Sequence, residues 1–73
     1  MKVFYTPVIN GEYDFRAQRR MKDRTDNEAY AIVQKVCGDA GVDRLDEFGS
    51  VKVFDIDPDG ETRGYWTYQQ DDL

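Results

Sequence analysis

The strand-like segments of this 73-residue chain carry large apolar residues on both faces, yet only one segment has the pattern of a substantial helix. In Lys2–Ile9, Val3, Tyr5 and Ile9 alternate with Phe4 and Val8. In residues 51–57, Val51 and Val53 alternate with Phe54 and Ile56. In residues 61–70, Trp66 and Tyr68 alternate with Tyr65. Successive side chains point to opposite sides of a strand, so each set belongs to one side of a sheet. A helix is about 10 Å wide and covers one side only. The other side is expected to stay partly apolar and to look for a partner.

The local signals give the element order. The first strand ends at Asn10-Gly11, a dipeptide that tolerates the positive φ angles of a type I′ hairpin turn. A second strand is expected over residues 12–19, with Tyr13, Phe15 and Ala17 on one face. Pro7 cannot donate to a ladder, which points to an edge position or a bulge. Thr25-Asp26-Asn27-Glu28 fits a capping box, in which a hydroxyl and a later Glu satisfy free backbone N–H groups reciprocally. Ala29, Ile32, Val33, Val36, Cys37 and Ala40 then step by three and four, forming one apolar stripe. Gly41 suits a left-handed C-cap. Together these signals predict a helix over residues 26–40.

Residues 42–50 read as a linker with at most one short helical turn, from which Leu45 and Phe48 fold back onto the core. Asp57-Pro58-Asp59-Gly60 is a turn: Pro presets φ at its second position and Gly supplies the open one. Residues 71–73 are expected to fray. The reading is a single α+β domain over residues 1–73 in ββαββ order, with a four-stranded, mostly antiparallel sheet and one helix on one face.

Composition narrows the class. Hydrophobic residues make up 40% of the chain and aromatics 14%, too many for a disordered segment. A core of this size supplies of order 3–5 kcal/mol of stability. The single cysteine, Cys37, precludes an internal disulfide and favours a reducing compartment. On the helix stripe it reads as a small core residue. The first ten residues hold one Lys and no apolar h-region, and no apolar run approaches the roughly 18 residues of a membrane span. A cytoplasmic location is expected, in a host cytoplasm if the chain is phage-encoded.

Histidine is absent and Ser50 is the only serine, so the chain holds no Ser-His-Asp, Cys-His or His-containing zinc site. The run from Asp55 to Gly60 resembles the start of a calcium loop. Arg63 and Trp66 then occupy the ninth and twelfth positions, where ligands belong, so the run reads as an acidic hairpin turn. The pairs Asp46-Glu47 and Asp71-Asp72 fall in segments where nothing would shift their pKa values. No catalytic residue, metal or cofactor is expected.

Net charge is −5, but it is divided: +3 through Arg24 and −8 from Thr25 onward. The acidic part also holds the aromatic strand. A protein partner is therefore expected, with Asp55, Asp57, Asp59 and Glu61 steering the encounter and Tyr65, Trp66 and Tyr68 supplying buried anchors. A very small, acidic, non-catalytic chain has the profile of phage or mobile-element inhibitors that occlude a nucleic-acid-binding host machine, of the anti-CRISPR or anti-restriction type. One alternative is a nucleic-acid-binding accessory protein, with Arg16, Arg19, Arg20, Lys22 and Arg24 on phosphates and the Tyr/Trp strand under bases. The acidic part of the chain opposes tight nucleic-acid binding by the protein alone. A third reading is a regulatory homodimer joined through the sheet.

Overall fold

The computed structural model describes residues 1–22 and 26–70, without the side chains of Asp46 and Phe48. Thr25 of the capping box, Arg24 of the basic connector and the tail 71–73 lie outside the described residues. In chain order the elements are β1 (Lys2–Ile9), β2 (Glu12–Tyr13), a 3-10 turn (Phe15–Ala17), β3 (Arg19–Arg20), α1 (Asp26–Cys37), a second 3-10 turn (Gly38–Ala40), α2 (Asp43–Phe48), β4 (Val51–Ile56) and β5 (Thr62–Gln69). Every strand pairing is antiparallel. The order across the sheet is β2-β1-β5-β4, with β3 also on β1. The chain is thus a small α+β domain with one main helix, but with five strands in place of the four expected from the sequence.

The fifth strand arises because the expected strand over residues 12–19 is broken, and Pro7 explains the break. Continuing the Val8↔Tyr13 register sets Pro7 opposite Asp14. Asp14 donates its N–H to the Pro7 carbonyl at 2.9 Å. Pro7 has no N–H to return. The Asp14 carbonyl accepts instead from the Ala17 N–H at 3.2 Å, and the Asp14 carboxylate accepts from the Arg16 N–H at 3.0 Å. This opens a 3-10 turn, and pairing resumes at Arg19 and Arg20. Pro7 therefore lies neither at an edge nor in a bulge of its own strand. Its strand is central, between β5 and the β2/β3 pair, and the interruption falls in the neighbour.

The helix is shorter than the predicted 26–40. It ends at Cys37 because Gly38 adopts φ +69°, a left-handed value that stops helical propagation. Residues 38–40 continue as a 3-10 turn, and the linker that follows contains a second helix, α2. Both hairpin turns form as their residues dictate. Asn10 and Gly11 take φ of 54° and 82°, as a type I′ turn requires. Gly60 takes φ 87° and donates its N–H to the Asp57 carbonyl at 2.9 Å.

The core lies between the helices and one face of the sheet. Val3 and Tyr68, paired across β1 and β5, pack with Ala29 and Val33 of α1 and Leu45 of α2. Ile32, Cys37, Val51, Val53 and Trp66 are partly buried against this cluster. Val36 departs from the expected stripe and is 52% exposed, and Ala40 is exposed too. The buried line of α1 is Ala29–Val33, one residue every fourth position. Val36 lies on the same side of the helix but borders an open groove with Ile32, Val53, Trp66 and Tyr68, which leaves it half in solvent.

Candidate functional site

The alternation of the strands divides the sheet into a covered and an open face. Val3, Tyr5, Val51, Val53, Trp66 and Tyr68 share the covered face, as their cross-strand pairing requires. Phe4, Thr6, Val8, Phe54, Ile56, Tyr65 and Thr67 share the other, and the pairing of Val8 with Tyr13 and of Phe4 with Arg20 adds those two. Among the described residues neither α1 nor α2 lies over this second face, since both pack on the first. It closes on itself instead. The Tyr65 ring sits 5.1 Å from Tyr13 and 6.2 Å from Phe54, edge-on to both, and the Lys52 ammonium lies 4.8 Å above it. These neighbours leave Tyr65 only 5% exposed. Thr6 beneath them is fully buried, and its hydroxyl accepts a 2.7 Å bond from the Gln18 amide.

The outer members of this row are not covered. Phe54 is 53% exposed and Ile56 58%, with Tyr13 exposed at the other end and Phe4 and Val8 half-buried between them. The charges of this face are of one sign. Lys2, Arg20 and Lys52 occupy strand positions on it, and among the described residues no Asp or Glu does. In a chain of net charge −5 this is a marked segregation.

The acidic turn beside β4 is largely committed to its own geometry. Asp57 Oδ1 accepts the N–H groups of Asp59 and Glu61 at 3.0 and 2.9 Å, and its Oδ2 lies 3.6 Å from Arg63 Nε. Asp55 accepts a 2.7 Å bond from the Tyr5 hydroxyl. Tyr5 reaches it by lying across Gly64: a Cβ there would strike the Thr6 carbonyl and stand 2.7 Å from the Tyr5 hydroxyl. Burial, then the bond to Asp55 and its negative charge, push the Tyr5 phenol above its ordinary value, outweighing Arg19 and Arg63. Asp59 and Glu61 remain exposed at the end of the sheet, where a cleft of about 640 Å³ separates Asp57, Glu61 and Arg63 from Val8 and Tyr13 of the neighbouring hairpin.

The seven residues expected to bind a partner do not form one surface. Tyr68 is 1% exposed and belongs to the core, so it has no surface to offer a partner. Trp66 lies on the covered face, its ring 5.1 Å from that of Tyr5. Asp55 and Asp57 hold Tyr5 and the turn. Only Tyr65 is on the open face, with Asp59 and Glu61 at its end. The basic stretch is divided as well. Arg19 lies 5.8 Å from the Tyr5 ring on the covered side, Arg20 pairs with Phe4 on the open side, and Arg16 and Lys22 are exposed. Phe54, Tyr13 and Lys52 were absent from the candidates. Phe54 joins Tyr65 through the β4/β5 register, and the place of Tyr13 depends on the β1/β2 register.

Among the described residues no helix is long and apolar enough to cross a membrane, and no three Asp, Glu or Cys side chains converge as a metal site. No protein-family model, curated protein or solved structure matches the chain.

Proposed function

We propose that this protein is a non-catalytic binding module that docks a protein partner on the open face of its sheet. The observation that carries the reading is the row Tyr13–Tyr65–Phe54 with Ile56 beside it: aromatic and aliphatic groups held rigidly by their neighbours yet exposed at both ends. Preformed aromatic patches bury large area at low entropic cost and supply hot spots. The exposed carboxylates Asp59 and Glu61 adjoin this face at the end of the sheet and steer the encounter toward basic groups that flank the partner's apolar contact, since the face itself carries Lys2, Arg20 and Lys52. A phage or mobile-element inhibitor that occupies a nucleic-acid-binding host machine in the cytoplasm fits this arrangement and the acidic net charge.

The test is binding kinetics against the partner captured from host lysate. Tyr13→Ala and Phe54→Ala should speed dissociation, and Asp59→Lys with Glu61→Lys should slow association and flatten its salt dependence. If both sets bind like wild type, the interface is elsewhere and the reading is abandoned.

A second reading has one observation in its favour. Aromatics beside Lys2, Arg20 and Lys52, with no carboxylate among them, also suit the bases and phosphates of a single strand. A labelled oligonucleotide bound with sub-micromolar affinity near 150 mM salt, and released by Lys52→Ala, would put this reading first.

A further inference from the structure

We propose that two copies of this chain associate edge to edge through β4, antiparallel and centred on Phe54. The two edges of the sheet are unlike. Beyond β1 the edge consists of β2 and β3, two residues each, separated by a 3-10 turn and carrying Arg19 and Arg20. Short, charged, interrupted edges resist pairing. The β4 edge is one strand of six residues without proline. At the irregularity between Asp55 and Ile56 the extra residue, Arg63, belongs to β5, so β4 itself carries no inserted residue.

Register fixes which main-chain groups look outward. Val3 and Pro7 turn their carbonyls toward Met21 and Asp14, away from β5. Backbone polar groups of successive residues alternate in direction along an antiparallel strand. Phe4 and Thr6 therefore bond β5, Trp66 and Tyr68 turn toward β4, and Val51 and Val53 turn back toward them. Lys52, Phe54 and Ile56 are left presenting their N–H and C=O groups to the edge. Apolar surface flanks that edge on both sides of the sheet. Phe54 and Ile56 are exposed on the open side, and a groove of about 380 Å³ lined by Ile32, Val36, Val53, Trp66 and Tyr68 opens on the helix side.

A second copy is the occupant this edge fits. Only one edge is pairable, so growth into a filament is barred, whereas a two-fold pair uses both β4 strands and closes. Register also selects one self-pairing, in which no like charges stand directly opposite and every edge-facing residue has a partner. Centred on Phe54, Phe54 meets Phe54 of the second copy, Lys52 meets Ile56, and Val53 meets Asp55. Centred on Lys52 or on Asp55, like charges would stand directly opposite, which is destabilising. Centring on Val53 opposes no like charges but leaves Ile56 unpaired. The proposal shares Phe54 and Ile56 with the partner reading of the open face but rests on the outward main-chain groups of β4, not on the aromatic row.

Sedimentation equilibrium and amide exchange on the wild-type chain test it. At about 100 μM the mass should be that of two chains, and the amides of Lys52, Phe54 and Ile56 should exchange at least about tenfold more slowly than at low concentration. Phe54→Pro, which removes an outward N–H along with the ring against Tyr65, should sediment as one chain, whereas Phe54→Ala, which loses the ring and keeps the N–H, and Tyr13→Ala, on the opposite edge, should still pair. In a Cys37→Ser background, Phe54→Cys should oxidise to a covalent dimer and Tyr13→Cys should not. If Phe54→Pro fails to fold, exchange on the wild type decides. A single-chain mass up to about 1 mM, or a dimer whose three edge amides exchange as in the monomer, overturns the proposal.

Discussion

On the covered face, Val3 and Tyr68 are buried because α1 and α2 set Ala29, Val33 and Leu45 upon them. On the open face, Tyr65 is nearly as deeply buried with no helix above it, enclosed by Tyr13, Phe54 and the Lys52 stem. The first arrangement ties distant parts of the chain together. The second is local to the sheet and ends in exposed aromatic edges. Equal burial therefore does not imply an equal role. Residues of the covered face hold the helices to the sheet, and the outer residues of the open face can be changed while the fold stays.

Removing a covered-face anchor is the strongest way to test this contrast. Leu45→Ala deletes a side chain that is fully buried and, among the described side chains of α2, is the one in the core. It should cost about 2–5 kcal/mol in urea unfolding, most of the stability of so small a domain. A loss below about 1 kcal/mol would mean that α2 is not packed on the sheet.

Tyr5 gives the next largest effect. Its hydroxyl donates to a charged carboxylate, and such bonds contribute about 1.5–3 kcal/mol. Tyr5→Phe should lose an amount in that range and leave Asp55 without this donor. The pH dependence has a definite sign. The folded phenol titrates above its ordinary value of 10.0, so its contribution is complete below that pH and is lost as pH rises through the folded pKa. The stability gap between wild type and Tyr5→Phe should therefore narrow in alkaline solution. A gap that stays constant or widens above pH 10.0 would contradict the placement of Tyr5.

Open-face substitutions should have the smallest effect on stability. Ile56→Ala at an exposed position should fall within about 0.5 kcal/mol, and Phe54→Ala, which also gives up an edge-on contact with Tyr65, below about 1.5 kcal/mol. A cost equal to that of Leu45→Ala would erase the distinction between the faces.

The division into two faces was legible in the sequence because alternation is a local property. Counting alone sets Phe4 and Val8 apart from Val3 and Tyr5, Phe54 and Ile56 from Val51 and Val53, and Tyr65 from Trp66 and Tyr68; the strand register then joins the sets into faces. The helix and both hairpin turns were legible for the same reason, since Asn10-Gly11 and Asp57–Gly60 state their own φ requirements. What was not legible depended on partners distant in the chain. The break at Asp14 follows from Pro7, which opposes it only once the strands pair. Both Gly38 and Gly41 take positive φ, 69° and 48°, and the earlier of them ends α1. The seven residues expected to bind a partner do not share one surface, because closeness in sequence is not closeness in space. Tyr65 and Trp66 are adjacent in the chain and point to opposite faces, and the nearby carboxylates of Asp55 and Asp57 serve Tyr5 and the turn.

The most direct test of the account combines Tyr13→Ala and Phe54→Ala in one protein and measures both its urea unfolding and its dissociation from the captured partner. Both residues flank Tyr65 on the open face and neither touches the helices' core. The account predicts a folded domain with a cooperative transition and dissociation faster by about 30-fold or more, the equivalent of a hot-spot loss of about 2 kcal/mol. A folded double variant that leaves its partner at the wild-type rate would contradict the assignment of the open face as the binding surface.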